Sequence, residues 1–263
     1  MRIRPSRKRD GDNALFVFCE QEWTQRLRRL NRAMPSSPRC KLCLRPFAGL
    51  GRVLPGPGFS RSRKNPNFCK SCFEQAPVGC RDLEVGVLFA DVRGYTALSE
   101  SLPSGEVTEL MNRFYTLATD VLLRHDAVID KLIGDEVMAL FIPSWTPNAI
   151  GAMVSAGDEL LRGVGFGADA EPWLPLGVGV DCGVASVGNV GTEDVKDFTA
   201  IGDVVNTAAR LQGCAQAGQL VMSERVRAAV TGQWPEPAAV ELELKGKSES
   251  VRAYVISPEA GPP

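Results

Sequence analysis

Apolar side chains recur at regular intervals along most of the chain, and the interval predicts which segments are helices and which are strands. After Pro103 they fall three and four residues apart as far as Leu122, which is typical of an amphipathic helix. The same spacing predicts helices at 149–162, 204–212 and 224–230. Shorter apolar runs predict strands at 85–90, 127–133, 136–142, 176–180, 184–190, 219–222, 240–244 and 251–256.

Glycine-containing turns arrange these strands in pairs. We expect hairpins at Gly134-Asp135, at 181–183 and at 245–247, with 192–200 as a polar excursion between the second hairpin and the next helix. Adjacent strand pairs interspersed with helices predict an α+β fold in which helices cover an antiparallel sheet.

The first third of the chain has a different pattern. Residues 1–35 form a basic segment in which Phe16, Cys19, Trp23, Leu27 and Leu30 recur at helical spacing. We interpret this stretch as a helix that packs on the rest of the protein, and contact with a membrane surface or a partner helix remains an alternative. Residues 36–82 are rich in Gly, Pro and Arg and poor in aliphatic side chains, so this module needs a staple to fold.

Composition narrows the class of protein. The 263 residues, 44% hydrophobic and 23% charged, suffice for one globular core and a small additional module. No run approaches 18 apolar residues, and the basic start is followed by Asp10, Asp12 and only a short apolar run, so we expect no membrane span and no signal peptide. The sequence therefore indicates a cytoplasmic protein.

Charge divides the chain in two. The net charge is −1, yet residues 1–82 hold 18 basic and 6 acidic residues and the remainder 12 basic and 25 acidic. Since the basic part has few interleaved aromatic residues, we favour docking onto the acidic part over nucleic-acid binding. The sequence does not identify a regulatory partner.

Four cysteines can provide the cross-link that the module at residues 36–82 needs in order to fold. They form two C-x-x-C pairs, Cys40 with Cys43 and Cys69 with Cys72, and each pair can place both thiolates on one tetrahedral ion. We predict a structural Zn²⁺ site. The interval between the pairs is longer than in most zinc ribbons, so an iron–sulfur site or redox-active thiols remain alternatives, and Cys80 could replace one ligand.

Polar residues at the ends of predicted elements suggest a nucleotide site. Asp91 ends the first strand and is followed by a turn containing Gly94, an arrangement suited to a divalent metal that carries a phosphate. Asp135 lies at the tip of the neighbouring hairpin, four residues after Lys131. Asn206 and Arg210 lie one turn apart on one helix and could hold a ribose oxygen and a phosphoryl group. As an alternative, these side chains belong to ordinary turns and a solvated helix face.

These segments occur in a recognisable order. The chain resembles the class III nucleotidyl cyclases over about 83–256, through Phe89-Ala-Asp91-Val-Arg-Gly94, Asp130-Lys131-Leu-Ile-Gly-Asp135-Glu-Val-Met-Ala139, Gly188-Asn-Val-Gly191, Phe198-Thr199-Ala-Ile-Gly-Asp203-Val-Val-Asn206-Thr-Ala-Ala-Arg210-Leu211 and Leu244-Lys245-Gly-Lys247. The resemblance implies a ferredoxin-like antiparallel sheet covered by helices, with the helix and metal-stapled module before it and a tail at 257–263.

The resemblance also implies the role of each site residue. Asp91, Asp135 and the Val92 carbonyl would bind two Mg²⁺ or Mn²⁺ ions, and the turn at Gly94 would lie against the substrate. Lys131 and Thr199 would contact the purine, and Asn206 would contact the ribose. Arg210 would contact the α-phosphoryl group, and Lys245 would contact the distal phosphates. In this family the carboxylates and the remaining contacts come from different subunits, which implies a head-to-tail homodimer.

Thr199 separates the possible substrates less sharply than a carboxylate would. A hydroxyl both donates and accepts hydrogen bonds, whereas the Asp common at this position in adenylyl cyclases only accepts. ATP is the favoured substrate because Lys131 is present, and GTP or mixed specificity is the alternative. Thr199 also motivates a hypothesis of bicarbonate sensitivity, which a bicarbonate titration at fixed pH would disprove by leaving the rate unchanged.

A non-catalytic function is the alternative interpretation of the sequence. The chain could be a nucleotide-sensing regulatory protein whose cysteine module binds a nucleic acid or a protein. Both aspartates, Lys131, Asn206 and Arg210 are present, whereas a decayed site would be expected to lose some of them. The one histidine, His125, is predicted to lie at a helix C-terminus and has no catalytic role in either interpretation.

Overall fold

The computed structural model describes residues 30–31, 39–47, 60–63, 65–168, 171–192, 194–232, 234, 237–243 and 250–258. Apart from Leu30 and Asn31, the helix predicted in residues 1–35 lies outside this part of the chain, as does Lys245. The chain forms two compact units. Unit 1 contains Met1–Arg81 and Val187–Thr199, and unit 2 contains Asp82–Ser186 and Ala200–Pro263. A central piece of the sequence therefore groups with the cysteine module.

In the described residues eight strands form one sheet in the order β2-β3-β1-β4-β6-β8-β7, with β5 paired to β4. Its β1 pairs antiparallel with β3, β3 with β2, and β8 with both β6 and β7, whereas β4 and β6 run parallel. The strands are β1 (Gly79–Val92), β2 (Val128–Ile133), β3 (Glu136–Phe141), β4 (Leu176–Gly191), β5 (Lys196–Ile201), β6 (Leu220–Ser223), β7 (Ala238–Leu242) and β8 (Val251–Ile256).

The helices of the described residues are α1 (Lys70–Gln75), α2 (Tyr95–Ser101), α3 (Ser104–Arg124), α4 (Ala149–Gly163), α5 (Asp203–Cys214) and α6 (Glu224–Ala229). The last four pack through the apolar faces that the sequence predicts. On α3 the residues Met111, Phe114, Ala118, Val121 and Leu122 are buried, and this helix contacts α4 and β2. The α+β fold with helices on a sheet is confirmed. Among the described residues no helix is long and apolar enough to cross a membrane.

The hairpin predicted at 181–183 is wrong, because β4 runs unbroken from Leu176 to Gly191. Asp181 suggested a turn, but its fully buried carboxylate accepts hydrogen bonds from Ser223 Oγ at 2.6 Å, Arg225 Nη2 at 2.5 Å and Cys182 N at 2.8 Å. With these partners the charged side chain is accommodated inside a strand. The excursion predicted at 192–200 is also wrong in its second half, where residues 196–201 form β5.

The Asp181 network yields a stability prediction. Arg225→Ala removes the charged partner of a buried carboxylate and should lower the free energy of unfolding by about 2 kcal/mol. Arg227→Ala serves as the matched control, since this arginine lies on the same helix and its Nη1 donates to Thr231 Oγ1 at 3.1 Å, an exposed contact. Urea unfolding of both variants measures the difference, and equal losses would contradict the role given to Arg225.

Close approach of backbone fixes α5 on the sheet. A Cβ atom placed on Gly179 of β4 would lie 2.1 Å from the backbone nitrogen of Gln212, so any side chain there would push the helix away. Glycine at this position lets α5 rest directly on the strand. The helix that carries Asn206 and Arg210 is thereby held at a defined height above the sheet.

Candidate active site and metal centre

The structure brings Asp91 and Asp135 together at one end of the sheet. Asp91 lies at the end of β1, opposite Glu136 at the start of β3, and Val92 N donates a hydrogen bond to Asp135 O at 3.3 Å. Burial and the adjoining Asp135 carboxyl raise the pKa of Asp91 to about 6. Two carboxyl groups that oppose each other's ionisation form an oxygen-rich site that a divalent cation would relieve.

The turn that carries Asp135 is held from outside the sheet. The hydroxyl of Tyr115 on α3 donates a hydrogen bond to Gly134 O, and Gly134 has a φ of 61°, in the left-handed region. Gly94 has a φ of 70° and precedes α2, a helix that the sequence analysis did not predict. Glycine adopts this left-handed conformation without strain. Gly134 directly precedes Asp135, and Gly94 follows Asp91 in the next turn.

Two further side chains contact Asp91, and sequence reasoning missed both. Arg93 Nη2 and Gln212 Nε2 donate to the same oxygen, Asp91 Oδ2, the second at 3.1 Å. Arg93 is itself fixed by its backbone N–H, which donates to Pro175 O at 2.6 Å. One signal for Gln212 was available: it is a long polar side chain on the predicted buried face of α5, and it is only 4% exposed.

The predicted nucleotide contacts lie on three other elements. Lys131 is on β2, where its Nζ lies 3.4 Å from Asp130 Oδ1. Asn206 is exposed and Arg210 half-buried on α5, while Thr199 is 7% exposed on β5 and belongs to unit 1. The carboxylates thus lie at the end of β1 and in the β2–β3 turn, whereas the predicted nucleotide contacts lie on β2, β5 and α5.

The four predicted zinc ligands converge in unit 1. The Sγ atoms of Cys40, Cys43, Cys69 and Cys72 all lie within 4.8 Å of one another, and all four residues are buried. Backbone N–H groups point at the sulfurs, from Cys69 to Cys40 Sγ at 3.3 Å and from Cys72 to Cys69 Sγ at 3.4 Å. Burial opposes ionisation, yet hydrogen bonds from the other three thiols hold the pKa of Cys40 well below its usual range. Four soft, converging sulfur donors suit tetrahedral Zn²⁺.

Cys80 takes no part in this cluster. Its Sγ lies 3.9 Å from Asn189 O, to which it donates a weak hydrogen bond. This contact supports the interpretation of Cys80 as a small, partly buried residue and leaves the two C-x-x-C pairs as the ligand set.

The end of β4 and the first residues of β5 pack on the cysteine module, a contact that the sequence did not predict. Asn189 Nδ2 donates to Ala76 O and to Pro77 O, each at 3.1 Å, and Lys196 Nζ donates to Ala76 O at 2.5 Å. The Phe198 ring packs edge-on against Phe68 with centroids 5.2 Å apart. These bonds explain why residues 187–199 belong to unit 1.

Unit 1 also contains a cavity of about 670 Å³. It is lined in part by Arg61, Arg63, Lys70, Phe73 and Lys196, and the predicted nucleotide contacts are not among its lining residues.

Known proteins are similar to this chain over the part that contains the predicted nucleotide site. The profile of the family described as the adenylate and guanylate cyclase catalytic domain matches residues 81–258. An adenylate cyclase of Anabaena cylindrica is 31% identical over 201 residues, which cover 69% of this chain and 40% of that protein. An uncharacterized protein of Mycobacterium tuberculosis is 34% identical over 139 residues, 52% of this chain and 24% of that protein. The matches thus span less than half the length of these curated relatives.

Solved structures match the same part of the chain. The guanylyl cyclase Cya2 superimposes with a TM-score of 0.62 at 26% identity, over 70% of this chain and 97% of that one. The adenylyl cyclase CyaB from P. aeruginosa superimposes with a TM-score of 0.59 at 27% identity, over 69% of this chain and 98% of that one. The similar structures include both kinds of cyclase.

Proposed function

This chain belongs to the adenylate and guanylate cyclase catalytic domain family, and from that premise we propose that it converts ATP to 3′,5′-cyclic AMP and pyrophosphate. The observation that carries the proposal is the pairing of Asp91 with Asp135 at one end of the sheet, where their carboxyl groups adjoin. Carboxylate pairs of this kind hold Mg²⁺ or Mn²⁺ in phosphoryl-transfer sites.

The reaction joins the ribose 3′-oxygen to the α-phosphorus and breaks the bond from that phosphorus to the pyrophosphate oxygen. Two divalent ions held by Asp91, Asp135 and the Val92 carbonyl would activate the 3′-hydroxyl and neutralise the leaving group. Asn206 orients the ribose, and Arg210 stabilises the charge that grows on the phosphoryl oxygens. Lys131 and Thr199 contact the purine edge, Lys245 contacts the distal phosphates, and the turn at Gly94 lies against the substrate. Positioning and electrostatics supply most of the rate enhancement.

We propose that two copies of the chain share each site in a head-to-tail homodimer. One chain carries both the carboxylates and the nucleotide contacts, which in this family come from different subunits, and this supports a site completed by a second copy. Unit 2 also exposes large apolar side chains, with Ile133 59%, Val184 57% and Ile201 56% exposed and Leu132 40%. Exposed apolar side chains beside the predicted contact Lys131 are suited to burial in a subunit interface.

The experiment that tests the proposal compares ATP with GTP in the presence of Mn²⁺. We expect the purified chain to form cyclic AMP from ATP with a higher kcat/KM than cyclic GMP from GTP, with product measured by chromatography. Preference for GTP would favour the alternative of a guanylyl cyclase, which is compatible with the similarity to the guanylyl cyclase Cya2. Absence of both products together with bound nucleotide would favour the regulatory alternative.

We also propose that the four clustered cysteines hold a structural Zn²⁺ ion. The ion would cross-link the 40–43 turn to the start of α1, since Cys69 is the N-cap of that helix and Cys72 lies in its first turn. Free, buried thiols in such a cluster suit a reducing compartment, which supports a cytoplasmic location.

A further inference from the structure

We propose that Gln212 is a positioning residue that couples the two active sites of the dimer. Its side chain links Asp91, a carboxylate of one site, to helix α5, which supplies Asn206 and Arg210 to the other site. The proposal rests on the proposed function, because it uses the sharing of each site between two subunits.

The link is a partly buried hydrogen bond within one chain. Gln212 Nε2 donates to Asp91 Oδ2 at 3.1 Å, and Gln212 is 4% exposed. A hydrogen bond to a charged acceptor in a buried setting is stronger than one between neutral groups in water. The two residues are 121 positions apart, so the contact joins β1 to the last turn of α5 and is not a local turn bond.

The geometry gives α5 little freedom to absorb a change at Asp91 locally. The backbone of Gln212 rests on Gly179, where even a Cβ atom would lie 2.1 Å from Gln212 N. Ala215, just beyond the helix, approaches Gly177 of the same strand, 3.2 Å from its carbonyl oxygen to a Cβ atom placed there. The bond from Gln212 therefore ties the Asp91 carboxylate to a helix end that packs tightly on β4.

Gln212 orients the Asp91 carboxylate that would hold the metal ion. Asp91 Oδ2 accepts from both Arg93 and Gln212. A divalent cation held by this carboxylate would repel the Arg93 guanidinium and would weaken Asp91 Oδ2 as the acceptor of the bond from Gln212. In a head-to-tail dimer the helix that feels this change serves the partner's carboxylates, so loading one site alters the other.

A dimer with a single live site separates the two roles of Gln212. One subunit carries Arg210→Ala, and the two subunits carry different affinity tags so that heterodimers can be purified. The live site then takes its carboxylates from the Arg210→Ala subunit and its α5 from the other subunit. Gln212→Met, which keeps length and helix propensity but removes the donor, is placed on either subunit in turn.

We expect Gln212→Met to change Mn²⁺ binding when it is on one subunit and kcat when it is on the other. On the carboxylate-supplying subunit, Gln212→Met should weaken Mn²⁺ binding at the live site about fivefold or more, and on the α5-supplying subunit it should lower kcat by a similar factor with Mn²⁺ binding at the live site unchanged. The Mn²⁺ concentration that half-saturates turnover reports the live site alone, and electron paramagnetic resonance of free Mn²⁺ with 3′-deoxy-ATP measures binding at both sites without turnover. Adding Asp91→Ala to the α5-supplying subunit should abolish the effect of Gln212→Met there, because the acceptor is gone.

The control is Gln216→Met, the same change at an exposed position just past α5. Equal effects of Gln212→Met on both subunits, or no effect on the α5-supplying subunit, would overturn the coupling. Failure of the proposed function is distinguishable, since it would leave the wild-type chain without turnover on ATP or GTP while Mn²⁺ binding still reports the bond between Gln212 and Asp91.

Discussion

Asp91→Ala and Arg210→Ala should each lower turnover by about a thousandfold or more, whereas a one-to-one mixture of the two variants should recover activity. Each homodimer lacks one essential group in both sites. In the mixed dimer, one site loses both groups and the other regains both, because the Asp91→Ala subunit supplies Arg210 and its partner supplies Asp91. With random exchange of subunits the recovery should be roughly a quarter of the wild-type rate.

The complementation assay has a built-in control. Mixing either variant with Asp135→Ala separates the sets further: Asp135→Ala should be rescued by Arg210→Ala but not by Asp91→Ala, since both carboxylates lie in the same set. Cyclic nucleotide formed per dimer after subunit exchange measures the outcome. Recovery in the Asp91→Ala and Asp135→Ala mixture, or none in the others, would contradict a site shared between subunits.

Cys69→Ser should remove the metal from the cysteine cluster and unfold the module around it. A structural zinc site contributes on the order of 10 kcal/mol to the folding of a small module, and Cys69 is both a predicted ligand and the N-cap of α1. The variant should bind no zinc and become sensitive to proteolysis in residues 39–75. Elemental analysis and limited proteolysis of the full chain measure both changes.

Cys214→Ser is the matched substitution, because Cys214 is exposed and lies outside the cluster. It should keep one zinc per chain and the wild-type cleavage pattern. Iron in place of zinc in the wild-type chain would favour the iron–sulfur alternative. A metal-free wild-type chain with an intact module would instead show that the four thiols fold without an ion.

The elements that the sequence predicts well are those whose burial is set by their own periodicity. The apolar positions of α3 are spaced at helical intervals and are the ones buried in the structure. The break predicted in β4 failed because Asp181 is stabilised by Ser223 and Arg225, more than 40 positions away, which no local pattern reveals. Likewise α2 has no buried residue, so it leaves no apolar periodicity to detect.

In the candidate site, too, some residues could be predicted from local sequence and others only from the packed structure. Asp91 and Asp135 could be placed together because one ends a strand and the other forms the tip of an adjacent hairpin, both readable from turn residues. Arg93 and Gln212 could not be assigned, since their role depends on a shared acceptor that becomes visible only when β1 and α5 are packed. The grouping of residues 187–199 with the cysteine module also depends on contacts distant in sequence, from Asn189 and Lys196 to the segment that follows α1.

The packing of Phe198 on Phe68 gives the cysteine cluster a short route to the purine. Phe68 precedes the predicted ligand Cys69, and Phe198 precedes Thr199, the predicted purine contact; the two rings touch within unit 1. Under the roles proposed for Cys69 and Thr199, an ion that orders Phe68 would also restrict the backbone before Thr199, and metal binding and purine binding would then be thermodynamically linked.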